Sequence, residues 1–173
     1  MHSRARAFTL YELLVTLALL AILATIALPS FSTLAAKSRQ TTEINALFHA
    51  FHQARKESIM RRRVVSLCPS LDGKTCAQST DWSAGWLLFY DPAGTGRTGD
   101  GIVTRHTVSG SVRIVTNRRL FTARGTQKRA TNGTFVFCDR RSRTSPKALV
   151  VSYTGRPRVA ERRVDGSAWS CAD

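Results

Sequence analysis

An apolar run near the N-terminus places the strongest constraint on how this chain can fold. Residues 8–28 contain a single charged side chain, Glu12. At about 1.5 Å per residue, an α-helix of this length crosses the hydrocarbon core of a bilayer. The short segment before the run carries Arg4 and Arg6, and basic residues keep that end of a span in the cytoplasm. We therefore expect one membrane-spanning helix, with the rest of the chain beyond the membrane.

A cleavable secretory signal peptide is the alternative explanation of this run. However, no Ala-x-Ala site closes it, because the triplet of that form at residues 5–7 precedes the run. Pro29 lacks a backbone donor, so we expect it to bend the helix without ending it. Beyond it, apolar residues recur at helical spacing, which predicts a helix from about Phe8 to about Met60. Cations crowd the helix end, where they suit its dipole: Arg55, Lys56, Arg61, Arg62 and Arg63.

After Arg63 the pattern changes to short runs rich in β-branched and aromatic residues. No run alternates with a helical segment, which argues against a parallel doubly wound sheet. Asn132-Gly133 is a hairpin signal just before one of the runs. The sequence thus predicts an α+β protein whose long N-terminal helix packs on an antiparallel sheet or sandwich. The predicted strands are residues 64–68, 86–90, 102–106, 112–116, 134–138 and 149–153.

The charge of the chain is strongly positive and unevenly distributed. Lys and Arg total 26 against 11 Asp and Glu, which gives a formal net charge of +15. Residues 97–163 hold 16 of the basic and three of the acidic side chains. Such an excess favours a polyanionic partner, either nucleic acid or an anionic membrane surface. Because the basic region follows the membrane span and lies outside the bilayer, nucleic acid is the better expectation.

Sequence patterns for catalysis, cofactors and metals are weak or absent. No nucleophile elbow, zinc-protease helix or paired-carboxylate pattern occurs, so we expect no enzyme activity and no cofactor. Residues 94–99 match G-x-G-x-x-G, but a turn and a strand follow where a dinucleotide site needs a helix, so we expect a hairpin loop. Asp91 and Asp100 lack EF-hand spacing. His49 and His52 are expected to line the polar side of the helix.

Four cysteines follow the membrane segment, which is consistent with an oxidising compartment. The natural pairings are Cys68 with Cys76 and Cys138 with Cys171. Other pairings stay open, because connectivity does not follow from spacing alone. The spacings lack a Cys-x-x-Cys pair and argue against zinc.

The N-terminus resembles the class III signal of type IV pilins and pseudopilins. The resemblance rests on Ala-Phe-Thr-Leu-Tyr-Glu-Leu-Leu (residues 7–14), the apolar run and Pro29. It implies that a prepilin peptidase cuts between Ala7 and Phe8, that the new N-terminus is methylated, and that Glu12 pairs with the amino terminus of a neighbouring subunit. The family usually has Gly where Ala7 stands. The implied organisation is a leader (1–7), a transmembrane and filament-core helix (8–28), its amphipathic continuation (29–60) and a globular β-rich domain (61–173).

A second resemblance narrows the family. Residues 68–76 (CPSLDGKTC) followed by residues 82–89 (WSAGWLLF) are similar to the GspH/FimT family of minor pseudopilins and minor type IV pilins, and favour its FimT branch. The resemblance implies a single-pass inner-membrane protein with a periplasmic globular domain that becomes extracellular in a pilus. Its implied partners are other pilins and the prepilin peptidase.

Residues 153–158 (YTGRPR) form the most informative basic segment. Gly155 permits a tight turn and Pro157 stiffens the chain. Arg156 and Arg158 point the same way if the segment is extended, which suits adjacent phosphates of a nucleic acid. The segment resembles the Gly-Arg-x-Arg element of FimT-type pilins, which contributes to DNA binding during uptake. We expect flanking cations to extend the site: Arg140, Arg141, Arg143, Lys147, Arg162 and Arg163, with Arg118, Arg119, Arg124, Lys128 and Arg129 as further candidates.

Together these features predict a minor type IV pilin that binds extracellular DNA without sequence preference, for DNA uptake in natural transformation. Tyr153 is expected in the core, with stacking on a base as the alternative. One rival function is structural: a minor pilin or type II secretion pseudopilin that primes fibre assembly and is only incidentally basic. Another is binding of a different polyanion, such as lipopolysaccharide.

Overall fold

The computed structural model describes residues 9–99, 101–125 and 130–171. The chain divides into two compact units, Met1–Ala35 and Ala36–Asp173, and one helix, α1 (Leu10–Met60), contributes residues to both. The expected cleavage site between Ala7 and Phe8 lies outside the described residues. So do Asp100, Lys128 and Arg129.

The first unit is the apolar part of α1. Thr9 caps the helix, because its Oγ1 accepts a hydrogen bond of 3.2 Å from the Glu12 N–H. The helix contains a stretch that is long and apolar enough to cross a membrane, with a mean hydropathy of 2.4. Pro29 lies inside the helix, and the Ser32 and Thr33 hydroxyls donate to its carbonyl oxygen. The helix therefore continues through Pro29, as predicted.

The second unit combines the C-terminal half of α1 with eight strands in two antiparallel sheets. The first sheet has the order β3-β2-β1-β5 and the second sheet has the order β4-β6-β7-β8. The strands are β1 (Val65–Pro69), β2 (Gly85–Tyr90), β3 (Ile102–Thr107), β4 (Val112–Thr116), β5 (Phe121–Ala123), β6 (Gly133–Asp139), β7 (Lys147–Val151) and β8 (Pro157–Ala160).

The core of this unit lies between α1 and the two sheets. Leu47 and Phe51 of the helix are buried in the same cluster as Trp82, Phe121 and Phe135. The Phe51 ring meets the Phe121 and Phe135 rings edge-on, with centroids 5.5 and 5.7 Å apart. Aromatic pairs in this geometry stabilise a core beyond their buried area. The predicted α+β fold, with a helix packed on antiparallel sheets, is confirmed.

Two strands and one turn differ from the predictions. β5 and β8 were not predicted, and both are short, with three and four residues. β8 begins at Pro157. Pro is tolerated there because it opens an edge strand. Asn132-Gly133 is not a hairpin turn, since Gly133 begins β6 and pairs with Val151. A Cβ on Gly133 would lie 2.7 Å from the Phe121 ring, so this glycine serves close packing.

Both disulfides join the cysteine pairs that the sequence favoured, Cys68 with Cys76 and Cys138 with Cys171. The second disulfide holds the C-terminal segment against the outer face of the second sheet, which is the face turned away from the core. There Trp169 and Cys171 pack on Val115, Val136 and Cys138. This segment covers one part of the outer face and leaves residues nearer the β7–β8 connection uncovered.

Candidate nucleic-acid interface

The β7–β8 turn, residues 152–156, is a three-residue hairpin loop closed by Ser152 and Arg156. The Ser152 N–H donates to the Arg156 carbonyl oxygen over 3.1 Å, and the Gly155 N–H donates to the Ser152 carbonyl oxygen over 2.8 Å. Gly155 has φ +72°, as in hairpins where a type I turn is followed by a left-handed residue. Glycine adopts this conformation without steric cost, so the position of Gly155 sets the geometry of the turn.

The turn is also held from outside the hairpin. Arg55 of α1 donates from Nη1 to the Thr154 carbonyl oxygen over 2.7 Å, and the Ala130 N–H donates to the Tyr153 carbonyl oxygen over 2.9 Å. Sequence reasoning missed the role of Arg55, because it assigned the cations at the helix end to the dipole. Arg55 and Thr154 are 99 residues apart, and no local pattern connects them.

Arg156 and Arg158 flank a buried Pro157, and both are exposed. Arg158 pairs with Val150, whereas the core residues of β7 are Leu149 and Val151. Alternation along the strand therefore directs both arginines to the outer face of the second sheet. Among the described residues, neither side chain has a hydrogen-bond or ion-pair partner. Their donors are thus available to an external anion.

The expectation that Tyr153 is a core residue is wrong. Its relative exposure is 60%, because β7 ends at Val151 and leaves Tyr153 in the loop. The structure therefore presents an aromatic ring in the same turn as Arg156.

The flanking cations do not form one continuous patch with this turn. Lys147 pairs with Phe137 near the C-terminal end of β6, whereas Val151 pairs with Gly133 at its other end. Residues 140–146 therefore lie at the opposite end of the second sheet from the β7–β8 turn. Five residues of β7 span about 13 Å between their first and last Cα atoms. We call Arg156 and Arg158 the turn cluster, and the exposed pair Arg140 and Arg141 the rim cluster.

The four other predicted contact residues already have partners inside the protein. The Arg143 guanidinium donates two hydrogen bonds, of 3.0 and 3.1 Å, to the Asp139 carboxylate. Lys147 Nζ lies 2.9 Å from Glu161 Oε1. Arg162 donates to the Gly166 carbonyl oxygen, and the Arg163 guanidinium lies over the Trp169 ring, 5.4 Å from its centroid. These contacts occupy at least part of the hydrogen-bonding or charge-pairing capacity of each of the four side chains within the protein.

The further candidates are dispersed. Arg118 is exposed, and Arg119 donates to Gln78 Oε1 over 3.0 Å. Both arginines follow Thr116, the last residue of β4. Thr116 pairs with Phe135, which lies near the end of β6 closest to the β7–β8 turn. Arg124 is partly buried. Its Nη2 atom lies 3.1 Å from the position that a Cβ atom would occupy if Gly94 carried a side chain.

Several carboxylates of this unit are paired with donors close to them. Hydrogen bonds from Arg143 hold the pKa of the Asp139 carboxyl below its usual value. The Tyr90 hydroxyl and Arg61 lower the pKa of Glu57, and Lys147 lowers that of Glu161. These carboxylates stay ionised and are already hydrogen-bonded to other side chains. They therefore do not form ion pairs with the arginines of the turn and rim clusters.

The loop at residues 94–99 is organised by Asp91 and does not form a phosphate cradle. The buried Asp91 carboxylate accepts hydrogen bonds from the Ser66 hydroxyl and from the Thr95 and Gly96 N–H groups, at 2.9 to 3.0 Å. These donors engage both carboxylate oxygens, and the two N–H groups are therefore unavailable to a phosphate. No cluster of three or more His, Cys, Asp or Glu side chains suited to a metal occurs within the described ranges.

Comparisons with known proteins agree with the fold. The profile of the GspH family, described as type II transport protein GspH, matches residues 43–155. The prokaryotic N-terminal methylation motif matches residues 2–28. No curated protein sequence gives a significant match.

Three solved structures resemble this chain. Two are crystal structures of the type IV minor pilin FimU of Pseudomonas aeruginosa, each 20% identical, with TM-scores of 0.52 and 0.54. They cover 72% and 73% of this chain, and 91% and 88% of the FimU chains. The third is the minor pseudopilin EpsH from the type 2 secretion system of Vibrio cholerae, 8% identical with a TM-score of 0.52, covering 70% of this chain and 96% of EpsH.

Proposed function

This chain belongs to the GspH family as a minor pilin or pseudopilin, and we propose that it enters a type IV pilus and binds extracellular DNA there. The apolar half of α1 anchors the protein in the inner membrane, with the globular unit on the periplasmic side. Prepilin peptidase removes residues 1–7 between Ala7 and Phe8, and Glu12 pairs with the amino terminus of a neighbouring pilin. Retraction of the fibre then brings bound DNA to the cell for natural transformation.

The observation that supports DNA binding is the turn cluster. Arg156 and Arg158 are exposed on one face of a turn that is fixed by Gly155 and by the Arg55 contact. Arginine offers a planar fork of donors that matches phosphate oxygens. Because the turn is held in place before binding, little conformational entropy is lost when it contacts a DNA strand.

The rim cluster makes a secondary contact in this proposal. Arg140 and Arg141 lie at the far end of the second sheet, so only DNA that extends along the sheet reaches both clusters. Contacts to phosphates carry no sequence information, so binding is sequence-independent and weakens with salt. Affinity should depend most on Arg156 and Arg158, and less on the rim cluster.

The proposal is tested with the full-length protein in a neutral detergent and a labelled DNA duplex at low salt. Replacing both Arg156 and Arg158 with Gln should weaken binding roughly 10- to 30-fold, because two charge-assisted contacts are lost. The matched control is K37Q/R39Q, which removes the same charge from exposed sites on α1. R140Q/R141Q should give an intermediate loss.

Equal losses in all three double variants would show that overall charge, and not a site, determines binding. In cells, R156Q/R158Q should reduce transformation and leave piliation intact. A loss of fibres in that strain would instead favour the structural role. If lipopolysaccharide displaces the DNA when its total negative charge is far below that of the DNA, a different polyanion would be favoured as the ligand.

A further inference from the structure

We propose that the β7–β8 turn recognises unpaired bases, so that the protein binds single-stranded DNA more tightly than duplex. This inference rests on the proposed function. It starts from Tyr153, whose exposure contradicts the sequence expectation.

Tyr153 combines exposure with a fixed position. Its relative exposure is 60%, and its carbonyl oxygen accepts the 2.9 Å hydrogen bond from the Ala130 N–H. In the second unit every Phe, Trp and Tyr lies within the described ranges, and Tyr153 alone among them is exposed. At this exposure the ring lies outside the hydrophobic core of the domain.

The ring and the cations belong to one short segment of the chain. Tyr153 precedes Arg156 by three residues within one hairpin loop, and Arg158 follows two residues later on the outer face. Two residues along a strand cover about 6.6 Å, which is comparable with the separation of successive phosphates on one DNA strand. Aromatic side chains next to a basic track are the recurring means by which proteins bind single strands, because each base offers a π-face.

Electrostatics alone predicts the opposite preference. A duplex carries twice the charge per unit length of one of its strands, so a purely cationic surface binds duplex more tightly. In a duplex the bases are stacked on one another and cannot lie on Tyr153. A preference for single strands therefore requires a base contact, and the turn supplies a ring for it.

The test compares a labelled 20-nucleotide single strand with the same sequence as duplex, using the full-length protein in neutral detergent. The wild type should bind the single strand several-fold more tightly. Y153L should weaken single-strand binding by about 10-fold, the order expected for one stacked base, and change duplex binding less than twofold. Stacking is not screened by salt, so the preference for the single strand should grow as salt is raised.

Y153F is the matched control for the hydroxyl group. It keeps the ring and should retain the single-strand preference, and a melting curve for each variant verifies that the domain is folded. Duplex bound as tightly as single strand by the wild type would overturn the inference and leave the DNA-binding proposal intact. Equal effects of Y153L on both DNA forms, or a Y153F variant that behaves like Y153L, would also overturn it. Failure of the wild type to bind either DNA would instead refute the proposed function.

Discussion

At the scale of single residues, the backbone conformation of Gly155 sets the geometry of the turn that carries Arg156. Its φ of +72° lies in the left-handed region, and a Cβ there would stand 3.2 Å from the Ala130 Cβ. An L-residue in this region costs about 1–2 kcal/mol. Relief of that strain would change the backbone that carries Tyr153 and Arg156.

We therefore expect Gly155→Ala to lower the free energy of unfolding by about 1–2 kcal/mol and to weaken DNA binding. The matched control is Gly166→Ala. Gly166 has φ +83° and open space around its Cβ position, so the conformational cost is similar without a role in the turn. Chemical denaturation and DNA titration of both variants measure the two effects. Equal DNA affinity in the two variants would show that the geometry of the β7–β8 turn is unimportant.

At the scale of secondary-structure elements, α1 supports the turn through Arg55. The hydrogen bond from Arg55 to Thr154 links the helix to the β7–β8 hairpin. Arg55 acts as a positioning residue, because its donor contacts the backbone of the turn and not the ligand.

Arg55→Gln should reduce DNA affinity by about fivefold, the equivalent of one hydrogen bond of about 1 kcal/mol. Lys56→Gln is the control, since it removes the same charge from the neighbouring exposed position. Hydrogen exchange at the Gly155 amide should accelerate in the Arg55 variant alone. If both variants lose the same affinity, Arg55 contributes only its charge.

At the scale of the whole globular unit, Glu43 joins the helix to the first sheet. Its carboxylate is buried, 2.7 Å from His106 Nε2, and accepts a 2.9 Å hydrogen bond from the Ser109 N–H. Burial alone would raise the pKa of Glu43, but the hydrogen bonds from His106 and Ser109 outweigh it. The pKa therefore lies below its ordinary value of 4.5.

This direction fixes the sign of the pH dependence. A carboxyl whose pKa is lower in the folded state contributes stability that is fully present above its unfolded pKa and is lost as pH falls through its folded pKa. Glu43→Gln should destabilise the protein by about 1–3 kcal/mol at neutral pH, and the difference should shrink below about pH 4.5. The control is Glu161→Gln, whose exposed ion pair should matter little. A difference between wild type and Glu43→Gln that persists unchanged at pH 3 would contradict this assignment.

The sequence predicted much of this molecule because its strongest signals are local. The apolar run, the helical spacing beyond Pro29 and six of the eight strands follow from short-range pattern. The spatial distribution of the cations does not follow from short-range pattern. The antiparallel order of β6, β7 and β8 places residues 140–146 and residue 156 at opposite ends of one sheet. The Arg55–Thr154 contact and the exposure of Tyr153 depend on where β7 ends, which alternation of residue types does not reveal.

The central claim is that a defined pair of arginines binds DNA phosphates, and the salt dependence of binding tests it most directly. With four phosphates contacted by the turn and rim clusters, the logarithm of the duplex binding constant should fall against the logarithm of salt concentration with a slope of about −3.6. Replacing Arg156 and Arg158 with Gln should reduce the slope to about −1.8, whereas K37Q/R39Q should leave it unchanged. A slope near zero in the wild type, or the same slope in the wild type and the Arg156/Arg158 variant, would contradict the account.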